Sequence, residues 1–500
     1  MTSILPTRTL MQNPEPGSAA GSSTMHRTTT RVVVAALLAA CVGAMFSGAP
    51  REVVGLAAVG MLVLLMLIKL PVAIALAVPS VIGVYALAGD RAAVNMLAHL
   101  PYDTVASWSL SVLPMFVFMG LLLAKSGVAT KIYVAARQWL SWLPGGLAIG
   151  TNSAGAGMAA VSGSTIGITY TLGRIGIPEM LRAGYDKRMA VGSVIVACLP
   201  GHLIPPSILL VIYAGIANVP VGPQLVAGIV PGILIALFCS VVIFAVSVAR
   251  PSLAGRNAPL SSGSRAGGSS KNELGRSLLA IWPIPLLIVA VVVSMLTGLL
   301  TATEAGAGGA LLALIVTVMY KRKNGPFAVV ADAATETVRT VGAIFFLIIG
   351  AYMLTRLLSI SGLATGFSDW ITSLGLSRVE FLLIMMVAYL VMGAFMDSLS
   401  MMLLTIPLLI PTLAELEISL IWFGVFAVLL GELGMITPPV GIICYIVHSI
   451  VKDPMVNQGH DITLRDVIVS ILLFLPVVLV FIGVLIAFPG IVTFLPDLIS

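Results

Sequence analysis

Charge is what this sequence has least of. Asp, Glu, Lys and Arg make up 9% of its 500 residues, against about 25% in soluble domains. From Met189 to Ala249 there is none at all. Such a composition excludes a soluble enzyme or a nucleic-acid-binding protein and points to a bundle of membrane spans. Cysteine is scarce too. Cys41, Cys198, Cys239 and Cys444 all lie in apolar stretches without a CxxC pair, which excludes a disulfide framework, a zinc site and any other structural metal centre. No GxxxxGK[ST] is present, so ATP is not expected as the energy source, and no HExxH suggests a metalloprotease.

What is abundant is apolar residues, at 59%. Crossings are expected near 32–48, 52–69, 71–88, 108–124, 189–219, 222–249, 278–299, 303–320, 341–357, 418–450 and 467–488. Residues 1–31 are polar and read as a disordered tail, and 32–51 as an extra N-terminal helix. That helix ends in Leu38-Ala39-Ala40-Cys41, similar to a lipoprotein cleavage box, although a retained span is the favoured reading. Basic residues gather near Lys125–Arg137, Arg182–Arg188, 250–277 and Lys321–Lys323, the side assigned to the cytoplasm together with the N-terminus.

Two of the apolar stretches are too long for one crossing and carry helix breakers in the middle. "GHLIPPSILL" holds Gly201, Pro205 and Pro206, and "GMITPPVGII" holds Pro438 and Pro439. Proline removes a backbone donor and costs about 3 kcal/mol inside a helix, so both stretches are expected to be broken helices. Two further regions, 138–173 with "VSGSTIG" and 381–412 with "GAFMDSLSMM", read as re-entrant hairpins. Trp139, Trp142 and Trp370 precede them on segments expected to lie along the membrane interface.

These features occur in pairs. "SGVAT" at 126–130 returns as "SGLAT" at 361–365, Gly163 falls near the counterpart of Asp397, and Pro205 matches Pro438, at offsets of 235, 234 and 233. An odd number of crossings separates the copies, so the repeat is expected to be inverted, with Ser126 cytoplasmic and Ser361 on the opposite side. The chain therefore divides into scaffold helices 52–125, a first transport repeat 126–249, the basic loop 250–277, second scaffold helices 278–360 and a second transport repeat 361–500. Inverted repeats with paired broken helices are the layout of secondary transporters. The expected fold class is an all-α polytopic membrane protein with two re-entrant hairpins and two broken helices, of the elevator type.

The quoted motifs, with "LPMFVFMGLLLAKSG", "LPGGLAIGT", "PEMLRAGYD", "LVAGIVPGILIAL", "FMDSLSMMLLTIPLLIP" and "FPGIVTFLPDL", resemble the large membrane subunit of tripartite ATP-independent periplasmic (TRAP) transporters. The likeness runs from about residue 55 to 496. It departs at "TATEA", where Ala302 stands at a usual proline position, at Pro200 and His202, and at helix 32–48, which has no family counterpart.

The resemblance implies sodium-driven uptake of a small anionic organic solute across the bacterial inner membrane. A periplasmic binding subunit would deliver the solute, with a separate small four-helix membrane subunit and membrane lipid as the other partners. It also implies two sodium sites at the hairpin tips and helix breaks. The first would draw on Ser162, Gly163, Ser164, Thr165, Gly201, Ile204, Pro205, Pro206 and Ser207. The second would draw on Asp397, Ser398, Glu432, Thr437, Pro438, Pro439 and Gly441. Hydroxyls and freed carbonyls suit a hard cation.

Individual residues admit blander roles. Asp397 has no basic neighbour in sequence and is the sharpest candidate, against a role as a helix cap. Glu432 is open between structural and functional roles. His202 is a candidate for substrate contact or pH modulation, against a hydrogen bond to a freed carbonyl. Arg356 is expected to snorkel and His448 to be a packing residue. A stand-alone carboxylate or ion transporter of this architecture is the alternative. A serine protease using Ser162 or Ser164 with His202 is remote, because "AVSG" is not a GxSG motif and a protease leaves the repeat unexplained.

Overall fold

The computed structural model describes residues 19–255, 281–322, 325–438 and 441–498, with 19–31, 129, 159–162 and 284 described by backbone alone. Four expectations fall wholly or mostly outside it: the tail up to residue 18, most of the basic loop 250–277, Pro439, and the side chain of Ser162. In order, the α-helices are α1 (Ala19–Phe46), α2 (Arg51–Leu67), α3 (Val72–Val105), α4 (Val112–Ser126), α5 (Val128–Leu140), α6 (Gly146–Ser162), α7 (Thr165–Arg182) and α8 (Lys187–Val196). After a 3-10 turn at Leu199–His202 come α9 (Ile208–Ala217), α10 (Val221–Ala227), α11 (Ile229–Ala249), α12 (Pro283–Leu296), α13 (Ala302–Lys321), α14 (Pro326–Ser361) and α15 (Leu363–Ser373). The chain continues with α16 (Arg378–Gly393), α17 (Ser398–Glu415), α18 (Leu420–Ile436), α19 (Ile442–Ile450), α20 (Pro454–Asn457), α21 (Leu464–Ala487) and α22 (Gly490–Asp497). Seven of the described helices, taken with their flanking turns, are long and apolar enough to cross a membrane.

The repeat is visible residue by residue. α4 ends at Ser126 and α14 at Ser361, and each is closed by a left-handed glycine, Gly127 (φ 83°) and Gly362 (φ 70°). A residue with a Cβ is strained in that conformation. Each serine hydroxyl bonds back to the carbonyl three residues earlier and accepts the amide of the residue after the glycine, Val128 or Leu363. The amphipathic helices that follow, α5 and α15, leave Trp139 and Trp370 exposed, as interfacial segments should.

The hairpins α6/α7 and α16/α17 turn at 163–164 and 394–397, and the long apolar stretches break at 197–207 and 437–441. Each hairpin rests on the broken helix of its own repeat through a glycine. A Cβ on Gly155 would meet the carbonyl oxygen of Ala197 at 2.2 Å, and one on Gly393 would meet the Cα of Gly434 at 2.5 Å. The centre of the molecule is α9 against α18, where every residue from Trp422 to Ile436 is buried. A helix whose one charged residue is Glu432 and which is otherwise apolar on every face belongs in such a place. Tyr213 on α9 donates to Leu420 O (2.6 Å) and so ties the two repeats together.

Three sequence readings need correction. The polar segment before the first span is helical from Ala19, because extending an existing helix costs far less than nucleating one. The crossing read as 71–88 does stop there, but a second helical segment follows Gly89 (φ 80°, ψ −178°) and runs to Val105. The span read as 341–357 is 36 residues long. Residues 326–340 lie outside the expected crossing but continue the helix, and there Asp332 and Glu336 pair with Lys125 of α4 at 2.5 and 2.7 Å and extend the scaffold.

Candidate functional site

The first break meets the second broken helix. Ser164 caps α7 by accepting the amide of Gly167, and Gly163 before it is left-handed (φ 57°) and lies over the first break, its position for a Cβ 3.6 Å from Pro206 O. Ser207 caps α9 by accepting the amide of Leu210 and donates to His202 O. The Pro205–Pro206 peptide is cis. Gly201 is buried within the 3-10 turn, and Ile204 is half-buried after it.

In the second repeat Asp397 caps α17, accepting from the amide and hydroxyl of Ser400. Thr437 closes α18, its hydroxyl donating to Leu433 O (2.6 Å). Pro438 is half-buried and Gly441 (φ 25°) opens α19. Asp397 thus occupies the capping role weighed against ion binding, while one face of it remains accessible.

Both repeats meet at a buried polar cluster that sequence spacing did not reveal. His202 is 8% and Glu432 1% exposed. His202 Nδ1 lies 2.9 Å from Glu432 Oε1 and 2.7 Å from Thr165 Oγ1, and Nε2 lies 2.8 Å from Gly163 O. Thr165 donates to Glu432 Oε2 (2.7 Å) and Ser398 to Oε1 (3.2 Å). One cluster therefore joins the tip of hairpin α6/α7, the first break, α18 and the first residue of α17. Sequence reasoning had singled out each of these residues. It did not connect them, because Thr165 and Glu432 are 267 positions apart.

A separate groove of about 970 Å³ runs between the second segment of α3 and the end of α14. Arg91, Asn95, His99, Thr355 and Arg356 line it, with Asp103 as its one acid. Arg356, expected to snorkel, is exposed here. Tyr352 on the same wall donates to Gly215 O (2.8 Å) at the end of the first broken helix.

Two re-entrant pairs and two interrupted helices, folded around a buried polar junction within an apolar shell, are the build of a membrane permease. Residues 59–491 match the family described as "Tripartite ATP-independent periplasmic transporter, DctM component", and the chain belongs to that family. It is a transporter subunit, not an enzyme. It is 30% identical to the C4-dicarboxylate TRAP transporter large permease protein DctM of Pseudomonas aeruginosa over 72% of this chain and 82% of that one. It is 26% identical to the sialic acid large permease SiaM of Vibrio cholerae (71% and 81%). It is 28% identical to the 2,3-diketo-L-gulonate large permease YiaN of Escherichia coli (73% and 83%). Among solved structures, the YdaH transporter of Alcanivorax borkumensis shares the fold, with a TM-score of 0.57 at 16% identity over 81% of this chain and 90% of that one.

Proposed function

We propose that this chain is the large permease of a sodium-driven TRAP system of the bacterial inner membrane that imports a small organic anion. The observation that carries the reading is the meeting of both hairpins and both broken helices at one site, in a chain of this family. The relatives named above carry C4-dicarboxylates, sialic acid and 2,3-diketo-L-gulonate, all acids. The groove with Arg91 and Arg356 offers guanidinium groups suited to carboxylates.

Sodium is the proposed coupling ion. Main-chain carbonyls near the helix breaks, with the hydroxyls of Ser164, Ser400 and Thr437 and the carboxylate of Asp397, supply hard oxygen ligands. Two sodium ions crossing 100 mV release about 4.6 kcal/mol, and a monoanion entering with them costs about 2.3, leaving roughly a fiftyfold gradient of the solute from the voltage alone. The transport repeats would move against a scaffold of α2, α3, α13 and α14 together with the small four-helix subunit. A periplasmic binding subunit would deliver the solute.

The test is uptake into proteoliposomes that hold this chain with its two partner subunits, using succinate, sialic acid and 2,3-diketogulonate as probes. Uptake of at least one probe that needs an inward sodium gradient and no ATP is expected. Uptake indifferent to sodium for every probe carried would overturn the ion assignment.

A further inference from the structure

The hydrogen atoms in the junction can be counted. Gly163 O can only accept, so Nε2 of His202 carries a hydrogen toward it. Thr165 has one hydroxyl hydrogen and gives it to Glu432 Oε2. Nδ1 then faces two acceptors, the Thr165 oxygen at 2.7 Å and Glu432 Oε1 at 2.9 Å. The ring therefore fills the space between three oxygens, those of Gly163, Thr165 and Glu432.

Among the described residues, Glu432 pairs with no charged group other than His202; its remaining partners are the hydroxyls of Thr165 and Ser398. Among the described residues of the elements packed on His202, α6 and α11 carry no Asp, Glu, Lys, Arg or His, and α18 carries Glu432 alone. The charged groups of α7 are engaged at its far end, Arg174 with Asp453, Glu179 with Arg137 and Arg182 with Gln458. Cys198, which precedes the turn, bonds with Thr169, and Tyr213 of α9 bonds with Leu420 O. Asp397 is turned to its own cap.

We propose that His202 is a built-in plug: its ring occupies the oxygens of Gly163, Thr165 and Glu432, so the coupling ions bind elsewhere in the hairpins and Glu432 is not among their ligands. A sodium ion at Glu432 would need a carboxylate whose oxygens are already taken up by Nδ1, Thr165 and Ser398. It would also meet the ring at close range. Of the seven residues assigned to the second sodium site, Glu432 is thus withdrawn, and Gly163 and Thr165 are withdrawn from the first. His202, an unusual residue at its place in the motif, becomes the residue that sets how many ions this permease binds. The inference rests on the ion-coupled reading above for its consequence in transport. The packing of the ring against these oxygens does not depend on that reading.

The experiment is equilibrium binding of radioactive sodium to the purified full-length chain in lipid nanodiscs, which needs no solute. Glu432→Gln should bind as many sodium ions as the wild type with affinity within about twofold. His202→Ala exposes the carboxylate, Gly163 O and Thr165 Oγ1 together and should bind one more ion per chain. The double variant should return to the wild-type number. A lower count, or affinity weakened about tenfold or more in Glu432→Gln, overturns the proposal; so does an unchanged count in folded His202→Ala. Should His202→Ala fail to fold, the Glu432→Gln comparison decides alone. A wild type that binds no sodium defeats the sodium reading, while the gain in His202→Ala still decides this one.

Discussion

Gly393 of α16 and Gly434 of α18 meet backbone to backbone: a Cβ added to Gly434 would lie 2.7 Å from the Cα of Gly393 and 3.1 Å from Tyr389 O. The rigid backbone on both sides leaves no side chain to move aside. Gly434→Ala should therefore prise the second hairpin from its broken helix and destabilise the protein by about 1–3 kcal/mol, the usual cost of overpacking. Gly342→Ala is the control. Gly342 lies in the middle of α14, where an added Cβ meets nothing within 4 Å, so that variant should gain about 0.5–1 kcal/mol. Thermal unfolding of both proteins in detergent checks the pair. Equal transition temperatures would mean that the close approach is not maintained.

Asp466 ties the last long helix to the first broken one. Its carboxylate takes Lys187 Nζ at 2.7 Å and Arg188 Nε at 3.1 Å, and closes a capping box with Thr463 at the start of α21. The two cations are about a third and a half exposed, so water screens much of the ion pairing. The cap is the firmer contribution. Asp466→Ala should cost about 1–2 kcal/mol in thermal unfolding, whereas Lys187→Met should cost about half that or less. A larger loss in Lys187→Met than in Asp466→Ala would reverse this ordering.

The sequence announced the elements whose physical cause is local. Missing charge marked the spans, paired prolines marked the breaks, and the Ser-Gly pairs at 126–127 and 361–362 marked the ends of α4 and α14. What it concealed depends on distant partners. Asp332 and Glu336 lie between the crossings expected at 303–320 and 341–357, and their partner Lys125 is more than 200 positions away. The kink at Gly89 leaves no trace in hydropathy, since the residues after it are polar enough to pass for a loop. Glu432 and His202 each looked ambiguous because each is the other's explanation, 230 positions apart.

Orientation can be tested at positions that the structure shows to be reachable. Ser126 and Ser361 themselves are buried, but Thr130 and Thr365, four residues on in each copy, are exposed. Lys125, Lys131 and Arg137 surround the first position, and the positive-inside rule predicts a cytoplasmic location for them. In a cysteine-free background, Thr365→Cys should react with an impermeant thiol reagent in intact cells. Thr130→Cys should react only after permeabilisation. Labelling of both from outside would sink the inverted repeat.

Asp397 can separate capping from ion binding, because asparagine caps a helix about as well as aspartate does but carries no charge. Asp397→Asn should keep the contacts to Ser400 and unfold at the wild-type temperature. Asp397→Ala loses the cap as well and should be about 1 kcal/mol less stable. If the carboxylate also serves a coupling ion, both variants should show weakened sodium dependence of uptake to a similar degree, since both lack the charge. The measurement is initial uptake against sodium concentration in proteoliposomes, with unfolding recorded on the same preparations. An Asn variant with the wild-type sodium profile, beside an Ala variant that is merely unstable, would leave Asp397 as the cap of α17 and move the ion to the hydroxyls and carbonyls around it.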